Sequence, residues 1–314
     1  MLVSVVVPTH NRSDWLRVTL RTVLWQQDVD LEAIVVDDGS TDDTAQTVAD
    51  LGVGRVRLLH HEIPRGVSAA RNHGAAEAQG EWVAFIDDDD LWAPDKLARQ
   101  VEAAVATDST WVYTGSVHID EHARVVGGIP PPPPEAVTRL ISRYNVIPGG
   151  GSNVIVRRDE LERVGPFDLR LKNTEDWEMW IRLAGQGPPA WVREPLMAYR
   201  VHSANASLDI EAIFAGVSLI ERRHGTRVDR GVLHRWIAES CLRNGQRTEA
   251  LEHMILAAVR GQSRNVIDDL FVILRRRLDR YGLWSPTSDS RLQHPEWTGR
   301  ARGWLEQLSA SEPG

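Results

Sequence analysis

Cysteine is almost missing from this 314-residue chain, and Cys241 stands alone. One thiol makes no intramolecular disulfide and no cysteine-based zinc site. Long apolar runs are missing as well. The start, MLVSVVVPTHNR, offers a short apolar run that ends in proline and has no basic leader. No later segment reaches the roughly 18 apolar residues of a membrane span. The reading is a cytoplasmic protein with no transmembrane segment, and peripheral contact with a membrane stays open. Positive charge is not in excess either, with 36 Lys+Arg against 44 Asp+Glu and a net charge of −8. That excludes a nucleic-acid partner held by a global positive field. A Gly-x-Gly-x-x-Gly turn after the first strand and a Walker lysine loop are both absent. PTHNRSDW stands after the first strand instead, and Gly52-Val-Gly54 falls before the third strand, where it has no dinucleotide to bind.

What is present is an alternation of periods. LVSVVV (2–7), LEAIVV (31–36), RVRLLHH (55–61) and EWVAFI (81–86) read as strands. Between them SDWLRVTLRTVLWQQ (13–27), TAQTVADL (44–51) and VSAARNHGAAEAQ (67–79) read as helices, and DKLARQVEAAVA follows the fourth strand. Such alternation predicts an α/β fold, Rossmann-like, with a mostly parallel sheet flanked by helices. From 111 to 205 the pattern is mixed, with WVYTG, SNVIVRR and LMAYRV as strands and EDWEMWIRLAG as a helix. Pro130 to Pro134 read as a stiff extended segment, more simply a surface loop than a gate. From about 208 onward the chain reads as a C-terminal helical appendage, NVIDDLFVILRRRLDRYG included, with a polar last stretch around Trp297 and Trp304 that is expected to be poorly ordered in part. The expected units are therefore 1–207, split into a nucleotide-binding half 1–110 and an acceptor-binding half 111–207, and a helical region 208–314. A homodimer through those last helices stays open.

In parallel sheets ligands bind outside the carboxyl ends of the strands. Those ends carry Pro8-Thr9-His10-Asn11, Asp37-Asp38-Gly39-Ser40 and the run Asp87 to Asp90. Four adjacent carboxylates repel one another, so their place after a buried strand needs a reason. In an extended strand end, Asp87 and Asp89 point one way and Asp88 and Asp90 the other. Carboxylates on one side suit a hard divalent cation, Mn2+ or Mg2+. Glu175-Asp176, at a helix start, can complement the helix dipole or serve as acid or base. The glycines of GGGSN (149–153) allow a close backbone approach. Trp177 and Trp180 share one helix face and are expected in the core.

Five blocks in order then resemble glycosyltransferase family 2, the GT-A nucleotide-sugar fold, over about residues 2–205. They are SVVVPTHNR, VVDDGSTDDT, RGVSAARNHGAAEAQGEWVAFIDDDDLWAPDKL, GSNVIVRRDELERVGPFD, and TEDWEMWIRLA followed by YRVHSANAS. The resemblance implies a metal-dependent inverting transfer of one sugar from a nucleoside-diphosphate donor (UDP, dTDP or GDP, uridine preferred) to an unknown acceptor hydroxyl. It implies that Pro8, Thr9, Asp38, Arg71 and Asp88 bind the donor. The DXD motif falls on Asp87 to Asp89, with Asp89 as the metal contact, Asp87 beside it, and His202 near the diphosphate or metal. Asp176 is the implied base, with Glu175 as its rival or support, and Asp90 is implied to be mainly structural. The second aspartate within the DXD departs from the more usual small or polar residue. No Gln-x-x-Arg-Trp run is present, which argues against a processive polysaccharide synthase. Two alternatives remain: an inactive sugar-nucleotide-binding module, and a nucleotidyltransferase on a related fold.

Overall fold

The computed structural model describes residues 1–51, 54–202, 209–270 and 295–310. Its first half alternates β1 (Leu2–Thr9), α1 (Ser13–Leu24), β2 (Asp30–Asp37), α2 (Thr44–Leu51), β3 (Val56–His60), α3 (Val67–Ala76) and β4 (Trp82–Phe85). β1 is buried from Val3 to Thr9, on both faces of the sheet, which is why its sequence is a continuous apolar run rather than an alternation. α1 instead buries one stripe, Leu16, Thr19, Leu20 and Val23, at helical spacing.

Strands β1 to β4 pair in parallel, in the spatial order β3-β2-β1-β4. Register aligns Thr9 with Asp37, so the motifs after β1 and β2 emerge side by side. The second half continues the same sheet with β5 (Leu91–Trp92), β6 (Trp111–Ile119), β7 (Val125–Ile129), β8 (Ile155–Arg157) and β9 (Ala190–Arg200). Here β8 runs antiparallel to both β4 and β6, β9 runs parallel to β6, β5 pairs antiparallel with β9 at the edge, and β7 pairs antiparallel with β6. The sheet thus has a parallel first half and a mixed second half. Helices cover both faces. One core packs α1 and α4 (Lys96–Thr107) against the sheet. The other packs α3, α7 (Glu175–Ala184), α8 (Ile210–His224) and α9 (Arg230–Arg243).

Some sequence expectations hold and others change. The proline run is an extended link from Pro130 to Pro133, as expected, between β7 and α5 (Pro134–Leu140), and only Pro134 belongs to the helix. Proline suits that first helical position because its missing N–H would have no partner there. The strand read from Ser152 begins only at Ile155, because Gly150–Asn153 form a tight 3-10 turn. The two-residue β5 was not foreseen. Trp177 and Trp180 are buried, as expected. The last stretch is a helix, Pro295–Ala310, lying back on the sheet. Trp304 Nε1 donates to the Pro195 carbonyl at 3.1 Å, and Trp297 Nε1 to the Ser116 carbonyl at 3.2 Å. Glycines at 115 and 128 leave room for the Trp297 ring. Beyond Leu270, the helix expected over 265–282 lies outside the described residues, as do 203–208 of the YRVHSANAS block. Among the described residues no helix is long and apolar enough to cross a membrane.

Candidate active site

The four aspartates do not continue the strand. β4 ends at Phe85, and Asp88 and Asp89 form a turn. The alternating orientation expected of Asp87 to Asp90 is therefore overturned, since a turn has no two-residue period. Each carboxylate instead meets a different part of the molecule.

Asp87 Oδ1 accepts from Arg71 Nη2 at 2.5 Å. Asp88 Oδ2 accepts from the Thr9 hydroxyl at 2.8 Å, which ties the end of β1 to the turn. Arg12 Nη1 donates to both Asp88 Oδ1 (3.2 Å) and Asp89 Oδ2 (2.7 Å). Asp89 Oδ2 also lies 2.9 Å from His202 Nε2. Asp90 is fully buried. It takes the Arg200 N–H at 2.9 Å and the Ser152 hydroxyl at 2.5 Å. The Thr19 hydroxyl lies 2.9 Å from the carbonyl oxygens of both Asp88 and Asp90, and Arg200 Nε donates to the Asp89 carbonyl at 2.8 Å. The repulsion within the run is thus offset by cations and by backbone and hydroxyl donors. Burial, then the neighbouring Asp89, pushes the Asp88 carboxyl up to about 7. The same causes, with Asp87 added, hold Asp90 well above the usual carboxylate range.

Asp38 has a different environment. Its oxygens accept from the Arg65 N–H (2.8 Å) and the Gly66 N–H (2.7 Å) and lie 2.7 Å from His61 Nδ1. Burial alone would raise this carboxyl, but the His61 and backbone donors more than offset it and leave it below its ordinary value. His61 in turn stacks on His73, with Nε2 and Nδ1 3.0 Å apart. Asp38 therefore fixes the loop that leads into α3. A carboxylate has about four lone-pair positions, so these contacts leave it capacity for a further donor.

Arg71, on α3, is buried and bridges the two halves of the chain. Its Nη1 donates to Glu175 Oε1 at 2.8 Å while Nη2 holds Asp87. Arg71 Nε and Glu175 Oε2 are buried without a hydrogen-bond partner among the described residues. Natively buried polar atoms are nearly always paired, so these two mark a place where a ligand would supply the missing bonds. Next to them, Asp176 Oδ1 caps the N–H of Trp177 at 2.6 Å. Burial first, and the adjacent Glu175 second, push the Asp176 carboxyl up to about 7 against the opposing pull of Arg71.

The glycine run explains how these groups come so close. Gly149 and Gly150 hold φ of +75° and +57°. A Cβ at Gly150 would lie 3.1 Å from Asp176 Oδ2, and one at Gly151 would lie 2.8 Å from Arg71 Nη2.

The structure thus gathers Thr9, Asp87, Asp88, Asp89, Arg71, Glu175, Asp176 and His202 at the carboxyl edge of the parallel strands. Asp87 turns toward Arg71, whereas Asp89 and His202 pair with each other. No group of three or more His, Cys, Asp or Glu arranged for a metal is present among the described residues. Asp89 and His202 still form a two-member donor set of carboxylate oxygen and imidazole nitrogen. That fits a cation taking most of its ligands from a diphosphate. Arg12, His61 and Ser152 were not foreseen as site residues. Arg12 carried a signal, because PTHNR places it just past the end of β1. His61 and Ser152 carried none, since their contacts cross long stretches of sequence.

A family model described as Glycosyl transferase family 2 matches residues 4–165. The UDP-Glc:alpha-D-GlcNAc-diphosphoundecaprenol beta-1,3-glucosyltransferase WfgD of Escherichia coli is 28% identical over 58% of this chain and 69% of its own length. Two Rickettsia relatives are longer, and this chain spans 36% and 35% of them. Among solved structures, S. aureus TarS 1–349 in complex with UDP-GlcNAc superposes with a TM-score of 0.56 at 20% identity, over 84% of this chain and 73% of that one. The mannosyltransferase PcManGT of Pyrobaculum calidifontis, in complex with GDP-Man and Mn2+, gives 0.52 at 19% identity, over 98% and 86%. At such identities the likeness is one of fold, and the fold is GT-A.

Proposed function

The chain belongs to glycosyltransferase family 2 and is a glycosyltransferase, and from that premise we propose that it moves one sugar, with inversion, from a uridine-diphosphate donor to an acceptor hydroxyl. The observation that carries this reading is the Arg71 bridge. It holds Asp87, in the turn after β4, and Glu175, beside Asp176, on one guanidinium, with unpartnered polar atoms between. A donor lying along the turn would then present its anomeric carbon to Asp176.

Inversion needs a carboxylate on the face opposite the leaving diphosphate, to take the acceptor proton as its oxygen attacks. Asp176 fills that role, and Glu175, already bound to Arg71, supports it. Pro8, Thr9, Asp38 and Asp88 line the donor side, with Asp38 accepting from the base. A divalent cation, Mn2+ or Mg2+, held by Asp89 and His202 would neutralise charge growing on the diphosphate. Arg12, which spans Asp88 and Asp89, is placed to meet the same charge. Uridine is favoured because WfgD is named for UDP-Glc and TarS is solved with UDP-GlcNAc. By the same relative, a sugar on a polyprenyl diphosphate is the first acceptor to try.

The test is transfer and donor hydrolysis with UDP-glucose and UDP-GlcNAc in Mn2+, comparing wild type with Asp176→Asn. The expected result is unchanged UDP binding with transfer lost. Full activity in Asp176→Asn removes the base, and UDP binding without turnover of either sugar nucleotide in wild type removes these two as the donor.

A further inference from the structure

The helical region after β9 makes one contact whose geometry reaches the proposed base. Thr174 is the residue just before α7 and stands directly ahead of Glu175 and Asp176. Its hydroxyl caps no N–H of that helix and has no partner among the described residues. What it touches is Gly216, in the middle of α8. A Cβ at Gly216 would fall 2.1 Å from Thr174 Oγ1 and 3.2 Å from Thr174 Cβ. Glycine is a poor helix former, so its place mid-helix is explained by this approach.

The contact is one end of a longer seam. α8 buries Ile213, Gly216, Val217 and Ile220, in the same core as Trp177, Trp180 and Ile181 of α7. One turn into α7, Glu178 is fully buried. It takes Arg182 of its own helix, with His224 at 2.9 Å and Arg223 at 3.3 Å from the end of α8. Arg223 also pairs with Asp168 at 3.1 Å, on the loop leading to α7. The opening of α7 is therefore gripped at the residue before it and at its first full turn. Asp176 itself lies against Gly150, where a Cβ would come 3.1 Å from its Oδ2.

We propose that α8 is a brace that sets the position of the proposed base, with Gly216 and Thr174 as positioning residues acting through the start of α7. This inference rests on the reading of Asp176 given above. It gives the helical region a role in turnover without any contact with substrate.

The experiment uses the full chain with Mn2+ and whichever of UDP-glucose and UDP-GlcNAc the wild type hydrolyses. Gly216→Ala must displace Thr174, because turning the hydroxyl away still leaves Thr174 Cβ at 3.2 Å and Cγ2 at 3.3 Å from the new methyl. A displacement near 1 Å is expected to lower kcat on the order of 10²-fold, with donor KM within about twofold. Adding Thr174→Ala removes the clashing hydroxyl, and the double variant is expected to regain kcat. If Gly216→Ala does not fold, Arg223→Ala combined with His224→Ala loosens the far grip. The same fall in kcat at constant KM is then expected. Wild-type kcat in Gly216→Ala, a loss that Thr174→Ala does not restore in a folded protein, or wild-type kcat in the far-end pair overturns the brace. Asp176→Asn assayed alongside separates the two ideas. If it stays active, the base reading has failed. If it is dead while Gly216→Ala is normal, only the brace has failed.

Discussion

Arg71 and Glu175 meet at 2.8 Å although 104 positions separate them in sequence. The pair is buried, and the same guanidinium holds Asp87. Removing Arg71 strands two carboxylates at once. Breaking one buried ion pair from one side costs about 3–5 kcal/mol, and since Glu175 is buried while Asp87 reaches water, Arg71→Ala is expected to lose about that range in denaturant unfolding. Arg71→Lys is expected to recover little, because an ammonium cannot serve two carboxylates with a fixed fork. A folded Arg71→Ala protein with an unchanged unfolding midpoint would show that the bridge does not hold the halves together.

Asp176 gives a pH dependence with a definite sign. Only the ionised carboxylate accepts a proton, and in the folded protein this group is pushed up to about 7 by burial and then by Glu175. Turnover is expected to rise as pH climbs through about 7, and the Asp176→Asn variant to lose about 10²–10⁴-fold. Stability of the ligand-free protein runs the other way. The raised folded value favours the neutral form, so that contribution is complete below the ordinary carboxylate range and is lost as pH rises through about 7. A pH–rate profile flat from 5 to 8 (a range spanning about 7) would contradict the assignment.

The two halves of this molecule were unequally legible. The parallel half follows from local pattern: a β-branched run buried on both faces, as in β1, reads as a strand and its neighbours as helices. The site edge followed from topology alone, which placed Thr9, Asp38 and the aspartate run together before any contact was known. The alternation within Asp87 to Asp90 failed because the chain turns immediately after Phe85, and four aspartates carry no signal of where a strand stops. The packing of Trp297 and Trp304 carried no local signal, because their partners, Gly115, Gly128 and Pro195, lie more than a hundred positions away.

Asp90 is held differently from the aspartates proposed to meet the donor and the cation. Its oxygens are taken by the Arg200 N–H and the Ser152 hydroxyl. Burial, then Asp89, holds it well above the usual carboxylate range. Asparagine keeps the shape of the side chain and one of its two accepting oxygens, so Asp90→Asn is expected to lose less stability than Asp90→Ala. Asp90→Ala leaves the Arg200 N–H and the Ser152 hydroxyl unpaired and is expected to cost about 1–3 kcal/mol for each donor that water cannot reach. Thermal melts of both variants check the order. Equal melting temperatures for Asn and Ala would contradict it.

Gly149 should be among the least replaceable residues of the loop. It holds φ of +75°, and a Cβ would come 2.5 Å from Met197 Sδ. The left-handed conformation alone costs a non-glycine residue roughly 1–2 kcal/mol, and the clash adds to that. Gly149→Ala is expected to lower stability and donor affinity together, because the loop it opens also touches Arg71 and Asp176. Gly187→Ala is a fitting control, since a Cβ there meets nothing within 4 Å. Equal stability losses at the two positions would deny the loop its special role.

The pairing of Asp89 with His202 sets what the cation should do. Two protein donors 2.9 Å apart are too few to hold Mn2+ or Mg2+ firmly, and such ions usually complete their shells from substrate phosphates and water. Mn2+ is therefore expected to bind weakly to the free protein and far more tightly once UDP is present. Linkage requires UDP affinity to rise by the same factor when Mn2+ is added. His202→Ala and Asp89→Ala should each shrink that mutual gain while leaving metal-free UDP binding nearly intact, because the base and ribose contacts proposed above fall to other residues. Calorimetric titrations of UDP with and without Mn2+ measure the factor directly. A gain of wild-type size in both variants would move the cation away from this pair, and with it the charge that the leaving diphosphate needs.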